Sequence, residues 1–219
     1  GTLKLAQAGN LGLGRSADIV SNIMSAYGAS ASETGKFVDI LAKTAATSNN
    51  SIEELGDSMK FVAPISAGLG QQVHETAAAF AVLGKNGIKA GMSGAGLRMV
   101  LSQLTDSSGP AVKTLKELGV AYEEIDPKAN SLRDVFKNLQ KSGVDVEGVF
   151  AAFDARAANV AQVLVQNADD LDSFTNSIKD SEGAVDTMAA TMDDALKGAA
   201  LRARSALAEM ALGIGDGMI

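Results

Sequence analysis

The sequence predicts an all-α protein, in which a module of short helices is followed by longer amphipathic helices. Apolar residues recur at helical spacing along most of the chain, and capping boxes and glycines stand where such stripes begin and end. Apolar residues make up 46% of the 219 residues, whereas aromatic residues make up only 4%. Close packing must therefore come from small and aliphatic side chains, which favours closely apposed helices.

Short helices are predicted for residues 1–144, the first of two predicted units. Ser30 and Ser51 each stand three residues before a glutamate, a capping pattern that marks a helix start. Two stripes predict amphipathic helices: Leu97, Val100, Leu101 and Leu104, then Leu132, Val135, Phe136 and Leu139. Gly119 and Gly143 follow helical stripes and suit the left-handed residue that ends a helix. A continuous rod is disfavoured, because each interior glycine would cost about 1 kcal/mol relative to alanine.

Residues 120–130 are the one place where a strand is expected. Val120 to Ile125 alternates moderately between apolar and polar residues and runs into the turn-forming cluster Asp126 to Asn130. The pattern permits one short β-hairpin at this point.

The second predicted unit, residues 145–219, carries longer, acidic, heptad-like helices that lead into an apolar continuation. Its apolar residues alternate at spacings of three and four, with interruptions at Asn167 and Ser181 and a break at Gly183. The predicted seam consists of Val146, Phe150, Phe153, Ala157, Val160, Leu164, Leu171, Phe174 and Ile178. Contact between copies and packing inside one fold explain this seam equally well, because few charges flank it. Eleven acids and two bases in residues 145–194 indicate a solvated acidic face.

Charge and cysteine content exclude several classes of function. The formal net charge is −7, so phosphate neutralisation gives no gain and no specific nucleic-acid partner is expected. The chain has no cysteine, which excludes disulfides, thiolate metal sites and thiol redox chemistry. No run of about 18 uncharged apolar residues marks a membrane span, and no secretory signal pattern is present. Because the sequence opens at Gly1 and ends on an apolar stretch, we expect a segment of a longer protein.

Residues that could carry catalysis are isolated from one another. His74 is the only histidine, so it lacks the partners of a metal site or a Ser-His-Asp arrangement, and a surface or capping role is expected. Three pairs of acids are adjacent in sequence: Glu53 and Glu54, Glu123 and Glu124, Asp169 and Asp170. Sequence neighbours on a helix point about 100° apart, so these carboxylates cannot face each other across a substrate. No catalytic, cofactor or metal site is predicted, and the protein is not expected to be an enzyme.

Two glycine strings, residues 12–17 and 91–96, do not fit phosphate-binding loops. Neither follows a convincing strand, and neither ends in Gly-Lys-Ser/Thr. Gly91, Gly94 and Gly96 are instead expected to let a helix approach its neighbour closely. The nearby bases Lys85, Lys89 and Arg98 lack interleaved aromatic residues, so they are interpreted as solvated charges.

Five sequence segments follow one another along nearly the whole chain: SAYGASASETGKFVDILAKTAATSNNSIEELGDSMKFVAPISAGLG, ETAAAFAVLGKNGIKAGMSGAGLRMVLSQL, LKELGV, FDARAANVAQVL and SEGAVDTMAATMDDALKGAALR. In this order they resemble the helical core region of phage tail tape measure proteins. None is a catalytic signature, so the resemblance rests on their order. At Asp154 the chain departs from the Phe-Gly-x-Arg-Ala segment that is usual in the family.

The resemblance implies a structural and assembly protein of the virion. Such a protein scaffolds polymerisation of the tail tube, sets tail length and leaves the tube during genome ejection. The implied partners are the tail tube protein, tail assembly chaperones, tail tip or baseplate proteins, and further copies within the tube. The implied location is the lumen of the tail tube, and the host cytoplasm during assembly. The alternative is a membrane-active helical module that assists passage of DNA through the host envelope, although membrane contact is expected mainly through other regions and only at infection.

Overall fold

The computed structural model describes the backbone of residues 1–216 and the side chains of residues 1–204, and in this part of the chain the regular secondary structure is helical throughout. The first six α-helices are α1 (Thr2–Ala8), α2 (Leu13–Ala26), α3 (Thr34–Thr47), α4 (Ile52–Gly68), α5 (Val73–Lys85) and α6 (Ala90–Thr105). The remaining seven are α7 (Pro110–Glu117), α8 (Tyr122–Ile125), α9 (Leu132–Lys141), α10 (Val146–Ala152), α11 (Ala155–Gln166), α12 (Ala168–Lys179) and α13 (Ala184–Asp216). One 3-10 turn, Ala31–Glu33, precedes α3. The predicted all-α class is confirmed.

Helix α5 lies at the centre of the fold. Residues 76–84 are all buried, so this helix is apolar around its whole circumference, as expected of a helix that is covered on every side. It packs against α3, α4, α9, α11 and α12. Helices α11 and α12 share this core with the earlier helices. The division predicted at residue 144, which falls in the loop between α9 and α10, stays a prediction.

Helices α4 and α6 form the most extensive pair, and a glycine sets their separation. A Cβ atom on Gly94 would lie 2.1 Å from the carbonyl oxygen of Ser58, so the two backbones touch at this point. The Ser58 hydroxyl lies 2.8 Å from the hydroxyl of Ser93 and donates to the carbonyl oxygen of Ala90 at 2.9 Å. The predicted role of Gly94 in close approach between helices is confirmed.

The helix boundaries predicted from capping and glycine are also confirmed. Ser30 and Ser51 both form capping boxes with the glutamates three residues later. Gly119 and Gly143 follow α7 and α9 with φ angles of +89° and +74°, a region that favours glycine.

The short β-hairpin expected at residues 120–130 is wrong. Residues 122–125 form the single turn α8, and Val120 before this turn and Ile125 at its end are both buried. Within residues 1–216 no strand exists with which this segment could pair. Asp126 instead shapes a local turn, since its side chain accepts from the amide of Lys128 at 2.9 Å.

The buried side chain of Gln71, in the loop between α4 and α5, holds this segment in place. Its amide nitrogen donates to the carbonyl oxygens of Pro127 at 2.5 Å and Asn130 at 2.8 Å. Its amide oxygen accepts from the backbone nitrogen of Leu132 at 2.8 Å. Three backbone groups within residues 127–132 thus find their hydrogen-bond partner in one side chain.

The longer helices expected after residue 145 are present only in part. Helices α10, α11 and α12 have 7, 12 and 12 residues, whereas α13 has 33. The breaks have local causes. The side chain of Asp154 caps α11 by accepting from the amides of Arg156 and Ala157, and Gly183 has a φ angle of +75° before α13.

Candidate interaction surfaces

Of the nine residues of the predicted seam, seven are buried and two near its start are exposed. Seven of its residues are buried: Phe153, Ala157, Val160, Leu164, Leu171, Phe174 and Ile178. Val146 and Phe150, both on α10, are 50% and 46% exposed. Contact of the whole seam with another copy stays a prediction, but only Val146 and Phe150 are open to it in this structure.

The buried seam residues pack within the chain. Helix α11 contacts α6, where a Cβ atom on Gly96 would lie 2.4 Å from Cγ2 of Val160. Helix α12 contacts α5, and the ammonium group of Lys85 lies 4.5 Å from the ring centre of Phe174. Helix packing inside one fold, the second of the two explanations of the stripe, accounts for these seven residues.

Helices α7 and α10 pack together, and three large apolar side chains are exposed there: Leu118, which directly follows α7, and Val146 and Phe150 on α10. We call this region the α7–α10 surface. Its geometry is fixed by an N-cap, because the carboxylate of Asp145 accepts from the amide of Gly148 at 2.8 Å. The absence of a side chain at Gly148 lets Leu118 lie against α10, since a Cβ atom there would be 2.9 Å from Cδ1 of Leu118. Exposed apolar side chains on rigid elements are typical of contact surfaces.

Helix α13 is anchored at its start by a residue 144 positions earlier in the chain. The carboxylate of Asp39 on α3 accepts from the amides of Gly183 at 3.1 Å and Val185 at 2.9 Å. Lys4 on α1 forms an ion pair with Asp186 at 2.5 Å. Sequence reasoning missed Asp39, because a cap that comes from a distant helix leaves no local pattern.

Beyond this anchor, α13 leaves the core. Val185 and Ala189 are buried. Every residue from Asp194 to Arg204 is exposed, except Gly198, which is partly buried. Leu196 and Leu201 are 61% and 64% exposed. We call residues 195–204 the α13 extension.

A groove lies beside the point where α13 departs. It has a volume of about 460 Å³ and runs between the end of α3 and the start of α13. Met188 and Met192 of α13 and Ala46 of α3 contribute apolar groups to its lining, and Lys43, Asp180 and Glu182 contribute charged groups of both signs.

Partial burial shifts the pKa values of His74, which was considered for catalysis, and of its neighbour Glu75. His74 is half-buried, and burial lowers the pKa of its imidazole; the nearby cations Lys179, Lys36 and Arg133 lower it further. Burial raises the pKa of the neighbouring carboxyl of Glu75. The neutral form of the His74 imidazole is therefore favoured near pH 7. The described residues place no nucleophile beside it.

The adjacent acid pairs also have separate contacts. Glu53 forms an ion pair with Arg15 at 3.2 Å, whereas Glu54 closes the capping box of Ser51. Asp169 contacts the ammonium group of Lys137, and its neighbour Asp170 is exposed. Neither pair forms a shared site.

The described residues contain neither a metal-binding cluster nor a membrane-spanning helix. No group of three or more His, Asp or Glu side chains among them is arranged to hold a metal ion. None of the helices that the structure describes is both long and apolar enough to cross a membrane.

Comparison with known proteins gives a consistent result. The family model described as phage-related minor tail protein matches residues 1–152. The chain is 29% identical to the "Tape measure protein" of Pneumococcus phage Dp-1, over 90% of this chain and 18% of that protein. It is 28% identical to the "Probable tape measure protein" of Escherichia phage P2, over 90% of this chain and 25% of that protein. No solved structure matches significantly.

Proposed function

Because the chain belongs to the phage-related minor tail protein family, we propose that it is a compact structural module of a tape measure protein. The observation that carries this proposal is the similarity of 90% of the chain to two proteins named as tape measure proteins, which confirms the resemblance seen in the sequence. The chain spans only 18% and 25% of the length of these relatives, so the ruler activity is proposed for a larger protein that contains this module.

In this proposal, the larger protein scaffolds polymerisation of the tail tube, sets tail length and is released during genome ejection. It lies in the lumen of the tail tube in the virion and in the host cytoplasm during assembly. Its partners are the tail tube protein, tail assembly chaperones, tail tip or baseplate proteins and further copies of itself. The α7–α10 surface supports such contacts, because it presents Leu118, Val146 and Phe150 to the outside on two packed helices.

The length that the module adds to a ruler depends on whether it is compact or extended. If all 219 residues formed one helix, they would span about 330 Å, at a rise of 1.5 Å per residue. A compact domain of this size has a radius of gyration of about 17 Å and hence a diameter of about 45 Å. The module would therefore add far less to a ruler than a rod of equal sequence length.

Deletion of residues 1–183 from the full-length protein, in the phage or prophage that encodes it, tests the proposal. For the 183 deleted residues, a folded module predicts tails that are shorter by about 40 Å, whereas an extended helix predicts about 275 Å. Electron microscopy of tails measures the difference. Tails of unchanged length on fully infectious particles would overturn the proposed function.

A matched pair of variants tests the contact surface separately from the fold. Phe153 is buried, so Phe153→Asp is expected to unfold the module, because a buried charge without a partner costs several kcal/mol. Phe150 is half-exposed, so Phe150→Asp is expected to leave the thermal melting curve unchanged but to reduce the number of complete tails. Normal tails from a folded Phe150→Asp protein would exclude the α7–α10 surface as an assembly contact.

A further inference from the structure

Asn86 is the only asparagine of the chain that a glycine follows. In such a pair the backbone nitrogen of the glycine can attack the side-chain amide carbon of the asparagine, because glycine has no side chain to hinder the approach. Asn86 and Gly87 lie directly after α5, the central helix of the fold, and both are exposed. The pair is therefore accessible to water and to spontaneous chemistry.

The hydrogen bonds that end α5 hold both of the groups that would react. The side-chain nitrogen Nδ2 of Asn86 donates to the carbonyl oxygen of Val82 at 2.9 Å. The backbone nitrogen of Gly87 donates to the carbonyl oxygen of Gly84 at 3.1 Å. In the folded chain, the attacking nitrogen and the leaving nitrogen are thus each engaged with a carbonyl group of the last turn of α5.

The backbone of Asn86 also has the wrong rotation for the reaction. Its ψ angle of 14° places the nitrogen of Gly87 beside the backbone nitrogen of Asn86, whereas closure of a five-membered imide ring needs it beside Cβ. Rotation into the reactive form would break the bond from Gly87 to Gly84 and the bond from Ile88 to the carbonyl oxygen of Leu83, which is 2.9 Å long. The reaction therefore requires local opening at the end of α5.

We propose that Asn86 is a site of spontaneous deamidation, and that opening of the C-terminal end of α5 sets the rate of this modification. The nitrogen of Gly87 forms a bond to Cγ of Asn86, the bond from Cγ to Nδ2 breaks, and ammonia leaves with the proton of the Gly87 amide. Water then opens the cyclic imide at one of its two carbonyl groups, which gives aspartate or isoaspartate. Each event consumes one water molecule and releases one ammonia molecule.

Either product weakens the end of α5. The carboxylate of the aspartate product cannot donate to the carbonyl oxygen of Val82, and it stands at the negative end of the helix dipole. In the isoaspartate product the main chain is one atom longer after residue 86, so the bonds that close the helix cannot keep their geometry. The neighbouring cations have other contacts, since Lys85 lies 4.5 Å from the ring centre of Phe174 and Lys89 donates to the carbonyl oxygen of Asn49. A chain that is modified during one opening therefore closes less readily afterwards.

The inference does not rest on the proposed function, since it concerns the chemistry of the purified chain. The folded chain and the chain unfolded in guanidinium chloride are incubated at the same mildly alkaline pH, and mass spectrometry of peptides measures the product at Asn86. We expect the product to form at least about tenfold more slowly in the folded chain. Equal rates in the two states would overturn the proposal, and so would faster deamidation of another asparagine in the unfolded chain.

Substitutions test the role of local opening and the effect of the product. Ile88→Ala removes a partly buried side chain that packs on the core, so it should speed deamidation of the folded chain and leave the rate in the unfolded chain unchanged. Asn86→Asp reproduces the aspartate product and should lower the melting temperature by about 2–4 °C. The matched control, Asn22→Asp, adds the same charge at an exposed position within α2 and should have a smaller effect. A folded Ile88→Ala chain that deamidates at the unaltered rate, or equal melting shifts in the two aspartate variants, would contradict the proposal.

Discussion

Replacement of Gly94 by alanine gives a sharp test of the α4–α6 packing. The added Cβ atom would lie 2.1 Å from the carbonyl oxygen and 2.8 Å from the Cα atom of Ser58. Carbon and oxygen atoms in contact normally stay at least about 3.3 Å apart, so the helices must separate by about 1 Å. Side-chain rotation cannot relieve this contact, because both atoms of Ser58 belong to the backbone.

The expected loss of stability follows from two opposing effects. Overpacking of a close contact costs about 1–3 kcal/mol, and the upper end applies because backbone meets backbone. Alanine returns about 1 kcal/mol through its higher helix propensity. The net loss is about 2 kcal/mol, which lowers the melting temperature by about 4–8 °C for a domain of this size.

Gly35 on α3 provides the matched control for this substitution. A Cβ atom there would have no neighbour within 4 Å, so Gly35→Ala is expected to stabilise the protein by about 0.4–1 kcal/mol. Thermal denaturation followed by circular dichroism compares the two variants directly. If both substitutions raised the melting temperature, the close approach of α4 and α6 would be refuted.

Three further predictions concern single side chains. Phe136→Ala is expected to lower the free energy of unfolding by about 3–5 kcal/mol, through lost contacts and a cavity. His74→Ala should have almost no effect near pH 7. If thermal denaturation showed His74→Ala to be the more destabilising of the two, the assignment of core and surface would be contradicted. Gln71→Leu should cost about 2–4 kcal/mol in chemical denaturation, because it leaves three backbone groups without partners, and a loss below about 0.5 kcal/mol would contradict the clamp. Asp39→Ala should cost about 1–2 kcal/mol and speed hydrogen exchange of the first amides of α13, whereas unchanged exchange there would argue against the distant cap.

Local signals in the sequence predicted much of the fold. The capping boxes at Ser30 and Ser51 and the helix-ending glycines Gly119 and Gly143 depend on contacts within a few residues, so their patterns are legible without a structure. The hairpin expected near residue 125 failed for the opposite reason. Its short alternation matches a single helical turn with one buried residue before it and one at its end. The Gln71 side chain that stabilises this arrangement is more than fifty residues away in the sequence.

The interaction surfaces were predictable only in part. Spacing identified Val146 and Phe150 as apolar positions of a seam, but it could not separate them from Phe153, which is buried. A heptad pattern specifies that one helix face is apolar, not which partner covers it. The groove beside α13 left no signal, because its walls come from α3 and α13, which are distant in sequence.

The pairing of α1 with α13 has a mechanical consequence. These two helices, at opposite ends of the described chain, lie side by side and are joined by Lys4 and Asp186. A pull on the start of α1 and the far end of α13 would therefore act first on their mutual contact and on the bonds from Asp39. Helices α4 to α12 would bear little tension until that contact parted. The residues between these two helices would therefore lengthen the chain only above the threshold force that breaks the contact between α1 and α13.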